Sequence, residues 1–152
     1  MKTMREHSNK VSVIHTEIVK EKEVLYEKRK FHNSYDAAEF AASFFEGADR
    51  EKIYVCCVDN HNKPLSMELA SIGTANEAVT GVREVFKSAI LSNAMGIFMF
   101  HNHLSGETEP SMVDCQITDR MKEAGFLLGI PLIDHIVIGE AGKYYSFREN
   151  DW

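Results

Sequence analysis

Apolar and polar positions follow two patterns along the chain, one typical of helices and one typical of strands. Apolar side chains recur at helical spacing over residues 33–47, 78–93 and 110–129. Short continuous apolar runs with β-branched or aromatic members occupy residues 53–58, 65–72, 96–100 and 131–138, and a last strand is expected at 143–147. Helices that alternate with strands predict an α/β domain, and the hairpins indicate a mixed rather than an all-parallel sheet.

The helical spacing assigns one face of each predicted helix to the core. The expected inward residues are Ala37, Phe40, Ala41, Phe44 and Phe45 on the first helix, Val82, Val85, Phe86, Ala89 and Ile90 on the second, and Val113, Ile117, Met121, Ala124 and Leu128 on the third. Asn33 and Ser34 form an N-cap signal for the first helix, and Gly47 is expected to end it. The third helix is expected to end near Gly125 or Gly129.

The pattern before residue 33 is weaker. Residues 1–10 are polar and predict a flexible arm, so a single domain is expected over residues 11–152. Residues 11–27 alternate in part, through Val11, Val13 and Ile18, and predict a long, half-exposed strand or hairpin. At 152 residues the chain is long enough to bury a core without disulfide or metal cross-links.

Composition restricts the compartment and the partners. Seventeen Lys and Arg against 23 Asp and Glu give a net charge of -6, which argues against a broad basic surface for nucleic acid. No apolar stretch approaches the length of a membrane span, and the polar N-terminus has no signal peptide. The three cysteines contain no Cys-x-x-Cys, and Cys56 and Cys57 should point to opposite faces of a strand. Reduced, buried thiols in a cytoplasmic protein are expected.

Two histidines and an aspartate follow the strand at 96–100. His101 and His103 project to the same side if the chain stays extended, because alternate residues of a strand share a face. A turn-rich loop around Gly106 would bring Asp114 back to them. Two imidazoles and a carboxylate leave a coordination position open and suit a catalytic zinc ion, although these ligand types are also compatible with iron or manganese.

The pair Ser111 and Asp114 has a second interpretation. Ser-x-x-Asp before a helical run is a capping box, with Ser111 as the N-cap and Asp114 three residues into the helix. The two interpretations are compatible in part, but the Asp114 side chain cannot serve a helix cap and a metal ion fully at once. Cys115, next to it on the helix, points about 100° away from it and is expected in the core.

The order of these residues matches a known motif. His101-x-His103, seven residues, Ser111, two residues and Asp114 resemble the JAMM (MPN-plus) metalloprotease motif at every position. The blocks HNHLSG, LLGIPLIDHIVIG and YYSF narrow the resemblance to the bacterial RadC family, over about residues 45–152. The resemblance implies a three-layer α-β-α fold with a mixed central sheet, of the JAB/MPN-like and cytidine-deaminase-like type. It also implies one zinc ion per chain, held by His101, His103 and Asp114.

The resemblance implies roles for three further positions. Glu51, at the start of the strand at 53–58, matches the glutamate that acts as general base toward the attacking water and then protonates the leaving amine. Ser111 would hydrogen-bond the attacking water or stabilise the oxyanion of a tetrahedral intermediate. His135 would support the metal ligands without binding the ion. Judged without the resemblance, Glu51 is a solvated charge beside Arg50, and His135 is a structural histidine at the start of a strand.

These residues together predict a zinc-dependent hydrolase of peptide or isopeptide bonds whose partner is a peptide or protein substrate. The alternative is a DNA-repair or mobile-element accessory protein in which the metal site is structural or serves only for binding. The acidic charge disfavours DNA, as does the lack of the helical DNA-binding-type segment that commonly precedes this domain. Leu104 replaces the proline that usually follows the second histidine, which alters the stiffness of the loop but removes no ligand. A membrane partner is not expected, and the sequence leaves the oligomeric state open, a dimer included.

Overall fold

The structure, a computed structural model, describes residues 9–73 and 80–152. In chain order the elements are α1 (Ser34–Ala42), a 3-10 turn (Ser43–Phe45), β1 (Lys52–Val58), β2 (Pro64–Ile72), α2 (Val82–Leu91), β3 (Gly96–Asn102), α3 (Met112–Leu128), β4 (Leu132–Ile138), β5 (Tyr144–Ser146) and a second 3-10 turn (Arg148–Asn150). None of the helices in these two ranges is both long enough and apolar enough to cross a membrane.

The strands of the described residues form one sheet in the order β2-β1-β3-β4-β5. β1 pairs antiparallel with both β2 and β3, β3 pairs parallel with β4, and β4 pairs antiparallel with β5. The parallel pair is connected by α3, as expected because parallel neighbours need a crossover connection. The prediction of a mixed central sheet is therefore confirmed.

Helices cover both faces of this sheet. On one face, α1 packs over a cluster to which the strands contribute Cys56, Val58, Phe98, Phe100, Ile136 and Ile138. On the other face, α2 and α3 pack over a cluster to which the strands contribute Ile53, Val55, Cys57, Ile97 and Met99. The alternation along β1 places Cys56 and Cys57 on opposite faces, both buried and both free thiols. The predicted three-layer α-β-α architecture is confirmed.

Local signals explain where α1 and α3 begin and end. The side chain of Asn33 accepts a hydrogen bond from the Asp36 amide and caps α1, as its position predicted. α3 ends at Gly129, whose φ of 70° lies in the left-handed region that favours glycine. Of the two ends predicted for α3, the later one is correct.

The segment before α1 differs from the prediction. Residues 11–27, all of them described, contain no strand or hairpin, and Val13 and Leu25 are almost fully exposed at 98% and 99%. β1, the nearest strand in sequence, already has partners on both edges, so an additional strand there has no place to pair. The prediction of a strand or hairpin at residues 11–27 is therefore wrong. The arm predicted at 1–10 lies outside the described residues except for residues 9 and 10.

The helical faces were also assigned too broadly. α2 begins at Val82, since Thr80 and Gly81 are not helical, and Ala78 of the predicted start lies outside the described residues. Four of the predicted inward residues, Phe40, Phe44, Val82 and Ala124, are half-buried and pack against the core. The residues predicted to face the core but found outside it are the exposed Ile90, Val113 and Leu128 and the half-buried Cys115. Each of them lies at the border of its helix's apolar face. A slight rotation about the helix axis therefore exposes it while the centre of the face stays buried.

Candidate metal centre

His101 and Asn102 end β3, and the pleat of the strand separates their side chains. His101 continues the face of Ile97 and Met99, under α2 and α3, and is 3% exposed. His103, the next residue beyond the strand, turns its ring toward that of His101, with the ring centroids 4.7 Å apart. The predicted placement of the two imidazoles on one side agrees with this geometry.

The first turn of α3 brings Asp114 to the two histidines. Its Oδ2 accepts hydrogen bonds from the amide and the hydroxyl of Ser111, at 2.7 and 2.8 Å, and lies 3.0 Å from His103 Nε2. The Asp114 amide in turn donates to Ser111 Oγ, which completes a capping box. The other oxygen, Oδ1, lies 3.3 Å from His101 Nδ1. The carboxylate is therefore divided, with Oδ2 at the helix cap and Oδ1 toward His101.

The donor atoms of this group fit a metal ion. One ligand atom each from His101, His103 and Asp114 lies within 4.8 Å of the other two. His101 Nδ1 is buried and has no hydrogen-bond partner among residues 9–73 and 80–152, although Asp114 Oδ1 is near it. A buried ring nitrogen without a partner is costly unless an ion or a proton occupies its lone pair. Two imidazoles and a carboxylate are borderline ligands of the kind that divalent transition metals accept.

The loop after His103 fixes which ring nitrogen faces the group. His103 Nδ1 lies 3.0 Å from the carbonyl oxygen of Glu107, which can only accept, so Nδ1 carries the proton. Nε2 is then the nitrogen directed at Asp114. Gly106, with a φ of 77°, makes the sharp turn that brings the Glu107 carbonyl back to the ring. A backbone acceptor behind a ligand histidine is the usual way of orienting it.

Electrostatics couple the three side chains tightly. Burial alone would raise the pKa of the Asp114 carboxyl, but hydrogen bonds from His103 and Ser111 and the charge of His101 hold that pKa well below its usual range. The hydrogen bond that His103 donates to Asp114, opposed by burial, raises the pKa of His103. Asp114 therefore stays ionised at neutral pH, which is the state in which a carboxylate binds a cation.

Glu51 lies on the other side of His101. It immediately precedes β1, is 8% exposed, and its Oε2 is 3.8 Å from His101 Nε2. Its own carbonyl accepts a hydrogen bond from the Gly73 amide at 2.8 Å. The structure therefore brings together Glu51 and the three predicted ligands, although Glu51 is far from them in sequence. A solvated charge beside Arg50, the alternative for this residue, does not agree with its burial.

His135 lies behind the group, in the middle layer of the fold. It is 1% exposed, pairs with Met99 across the parallel β3–β4 ladder, and stacks on the ring of His101 at 5.8 Å between centroids. Its Nδ1 is 2.6 Å from Thr118 Oγ1, and that hydroxyl donates to the Asp114 carbonyl at 2.7 Å. Burial, with the nearby charge of His101, lowers the pKa of His135 to about 3, so its ring is neutral.

Thr118 is a residue that the sequence interpretation missed. It follows Asp114 by four positions on α3, the spacing at which a threonine hydroxyl reaches the carbonyl one turn earlier. That spacing was visible in the sequence. Its connection to His135, on another element, was not.

Comparison with known proteins assigns the family. The sequence profile described as the RadC-like JAB domain matches residues 31–152, so this chain belongs to the RadC-like JAB domain family. The chain is similar to UPF0758 proteins from Methanosarcina barkeri (44% identity over 100 residues), Pelodictyon phaeoclathratiforme (40% over 122) and Thermotoga maritima (40% over 101). These alignments cover 66%, 80% and 66% of this chain and 43%, 54% and 45% of the relatives. The chain thus spans about half the length of the curated relatives that it matches.

Proposed function

We propose that this protein is a zinc-dependent hydrolase that cleaves a peptide or isopeptide bond in a protein or peptide substrate. The observation that carries the proposal is the convergence of three ligand-type side chains together with a buried carboxylate, Glu51, whose Oε2 lies 3.8 Å from His101 Nε2. A zinc ion held by His101, His103 and Asp114 would activate water and polarise the scissile carbonyl. Membership of the JAB domain family supports this choice of chemistry.

In this proposal Glu51 carries the proton. Its carboxylate is largely removed from bulk solvent, so a proton that it accepts at Oε2 is retained near the reacting atoms. The same oxygen then returns the proton to the amine that leaves. A buried carboxylate at the edge of the donor group is suited to both steps, because it needs no access to bulk water between them.

Ser111 would stabilise the charge that develops on the carbonyl oxygen. Its hydroxyl lies at the start of α3, where it donates to Asp114 Oδ2 at 2.8 Å. The Ser111 amide also donates to that oxygen, at 2.7 Å, so Asp114 keeps a partner if the hydroxyl turns toward substrate. A donor that is held in place before reaction and can be redirected at low cost fits an oxyanion role.

We further propose the cytoplasm as the compartment. Cys56 and Cys57 are buried free thiols, and Cys115 is a half-buried one. Free thiols are retained in reducing compartments, which agrees with this assignment. We do not favour DNA as the partner, because the candidate site consists of two histidines and one carboxylate rather than a groove lined by basic side chains.

The decisive experiment compares Glu51→Gln with Glu46→Gln, a control at an exposed glutamate. Purified protein is assayed for zinc content and for hydrolysis of a panel of internally quenched peptides and lysine isopeptides. We expect one zinc per chain in all three proteins, with hydrolysis about 100- to 10,000-fold slower only in Glu51→Gln. Zinc retention with unchanged hydrolysis in Glu51→Gln would refute the mechanism. Salt-dependent DNA binding without hydrolysis would favour the accessory-protein alternative.

A further inference from the structure

Asn102, between the two histidines, makes two hydrogen bonds on the face of β3 opposite His101. Its side chain is buried, with 7% of the residue exposed. Oδ1 accepts from the Lys52 amide at 2.7 Å, and Nδ2 donates to the Arg50 carbonyl at 3.2 Å. Both partners are backbone groups, and they belong to the residues on either side of Glu51.

These contacts begin where the strand pairing ends. The β1–β3 ladder has Ile53 opposite His101 as its last pair, so the backbone of residues 50–52 lies beyond it. Here the Asn102 amide uses its oxygen as an acceptor and one of its two N–H groups as a donor, the same two functions that a peptide unit provides. The side chain therefore continues the ladder past its end and secures the segment that carries Glu51.

The backbone of Glu51 is then fixed on both edges. On the β2 side its carbonyl accepts from the Gly73 amide at 2.8 Å. On the β3 side the groups before and after it are bound to Asn102. Such a segment cannot rotate as a unit, so the Glu51 side chain leaves the backbone in one fixed direction, toward His101.

Only an amide side chain of this length meets both requirements. Aspartate would retain an acceptor for the Lys52 amide but would present an oxygen, not a donor, to the Arg50 carbonyl. Alanine would remove the side-chain partner of both backbone groups, at contacts that are partly buried, which is costly. Aspartate therefore removes the hydrogen bond to Arg50 alone, and alanine removes both hydrogen bonds.

We propose that Asn102 is a positioning residue whose side-chain amide clamps the backbone on both sides of Glu51 and holds the Glu51 carboxylate beside His101. The inference rests on the proposed role of Glu51 as the proton carrier. Both faces of β3 then contribute to the site. His101 offers a ligand atom on one face, and Asn102 positions Glu51 from the opposite face.

The test uses Asn102→Ala and Asn102→Asp in the zinc-loaded protein, with Asn150→Ala as a matched control. Asn150 donates a similar side-chain-to-backbone hydrogen bond, to the Ser146 carbonyl at 2.8 Å. Amide hydrogen exchange is measured and a crystal structure is determined for each protein. In Asn102→Ala we expect exchange at the Lys52 amide to be about 3- to 10-fold faster and the Glu51 carboxylate to be displaced from His101, with zinc content unchanged. Asn102→Asp should retain more protection at Lys52 and still displace Glu51, and Asn150→Ala should change neither.

Two results would overturn the inference. One is a Glu51 carboxylate that keeps its wild-type position in Asn102→Ala or, if that variant does not fold, in Asn102→Asp. The other is loss of zinc with Glu51 in place, which would mean that Asn102 acts on the ion site instead. These readouts need no turnover, so they stand even if the hydrolase proposal fails.

Kinetics add an independent check where a peptide or isopeptide from the panel is cleaved. Asn102→Ala should lower kcat with little change in KM, because the aligned base acts in the chemical step. In a Glu51→Gln background the same substitution should have no further effect, since the group that it aligns is already lost. A further loss in that background would contradict a clamp that acts through Glu51.

Discussion

The hydroxyl of Thr118 lies 2.6 Å from Nδ1 of His135 and joins that ring to the helix turn that carries Asp114. The hydroxyl has one proton and gives it to the Asp114 carbonyl, so His135 Nδ1 must be the donor in their contact. These two buried hydrogen bonds connect the start of α3 to β4.

Replacing this hydroxyl by a methyl group should weaken both the fold and the site. Thr118→Val keeps the side-chain shape but removes the partner of His135 Nδ1 and the hydroxyl's hydrogen bond to the Asp114 carbonyl. We expect the free energy of unfolding to fall by about 1–3 kcal/mol and zinc affinity to fall about 10-fold. Thr16→Val, at an exposed position, is the control. Unchanged zinc affinity in Thr118→Val would mean that the link is purely structural.

Removing one imidazole should abolish the donor group. His103→Ala deletes a residue whose Nε2 lies 3.0 Å from Asp114 Oδ2. Changes to residues that only support a ligand cost about 10- to 100-fold in metal affinity, so loss of a ligand should cost more than about 100-fold. Competition with a chromogenic chelator measures the affinity, and His61→Ala in the exposed turn after β1 should bind zinc as the wild type does. Tight zinc binding by His103→Ala would place the ion elsewhere.

The buried His135 should make the metal-free protein sensitive to acid. Its pKa is lowered from 6.5 to about 3, chiefly by burial, so the unfolded chain takes up this proton at a higher pH than the folded one. Stability from this group is complete above pH 6.5 and is lost as the pH falls toward 3, by about 1.4 kcal/mol per pH unit. Chemical denaturation in EDTA at several pH values gives the free energy of unfolding, which should depend less on pH in His135→Gln than in the wild type. An equal pH dependence in the two proteins would show that His135 is protonated in the folded state.

The turn after β4 should control the loop that holds His103. A Cβ on Gly139 would lie 2.4 Å from Thr108 Cγ2 and 2.9 Å from the Gly106 carbonyl oxygen. Gly139→Ala must therefore displace this loop, and we expect about 1–3 kcal/mol of destabilisation with weakened zinc binding. Gly81→Ala is the control, because its Cβ would meet only the flexible end of Glu84. Thermal melts with and without zinc separate the two effects, and equal losses in both variants would exclude a specific role for the loop.

The sequence predicted the central elements well because their apolar patterns are long and uniform. β1, β3 and β4 are buried on both faces, so nearly every residue carries the signal, and the ends found lie within one or two residues of those predicted. The strand predicted at residues 11–27 was wrong because its apolar pattern is short and partial. Alternation alone also cannot reveal whether a neighbouring strand has a free edge. That information belongs to the topology of the whole sheet.

The candidate site divides in the same way. The group of His101, His103 and Asp114 follows from local spacing, whereas Glu51 was found only through a family resemblance. Thr118 and Asn102 were missed as contributors because their partners lie on other elements. A hydroxyl or an amide has no pattern that identifies a distant partner, so its role becomes visible only in three dimensions.

The order of the sheet also separates the two halves of the chemistry along the chain. The candidate metal ligands, together with Thr118 and His135, all lie within the contiguous β3-α3-β4 unit. Glu51 comes from β1, which joins the other edge of β3 by long-range pairing. The candidate ligands therefore lie on one contiguous stretch of chain, whereas Glu51 joins them only through the pairing of β1 with β3. On the proposed mechanism, a protein in which β1 is displaced from β3 would retain its candidate ligands but lack its proton carrier, so the pairing of β1 with β3 would complete the site.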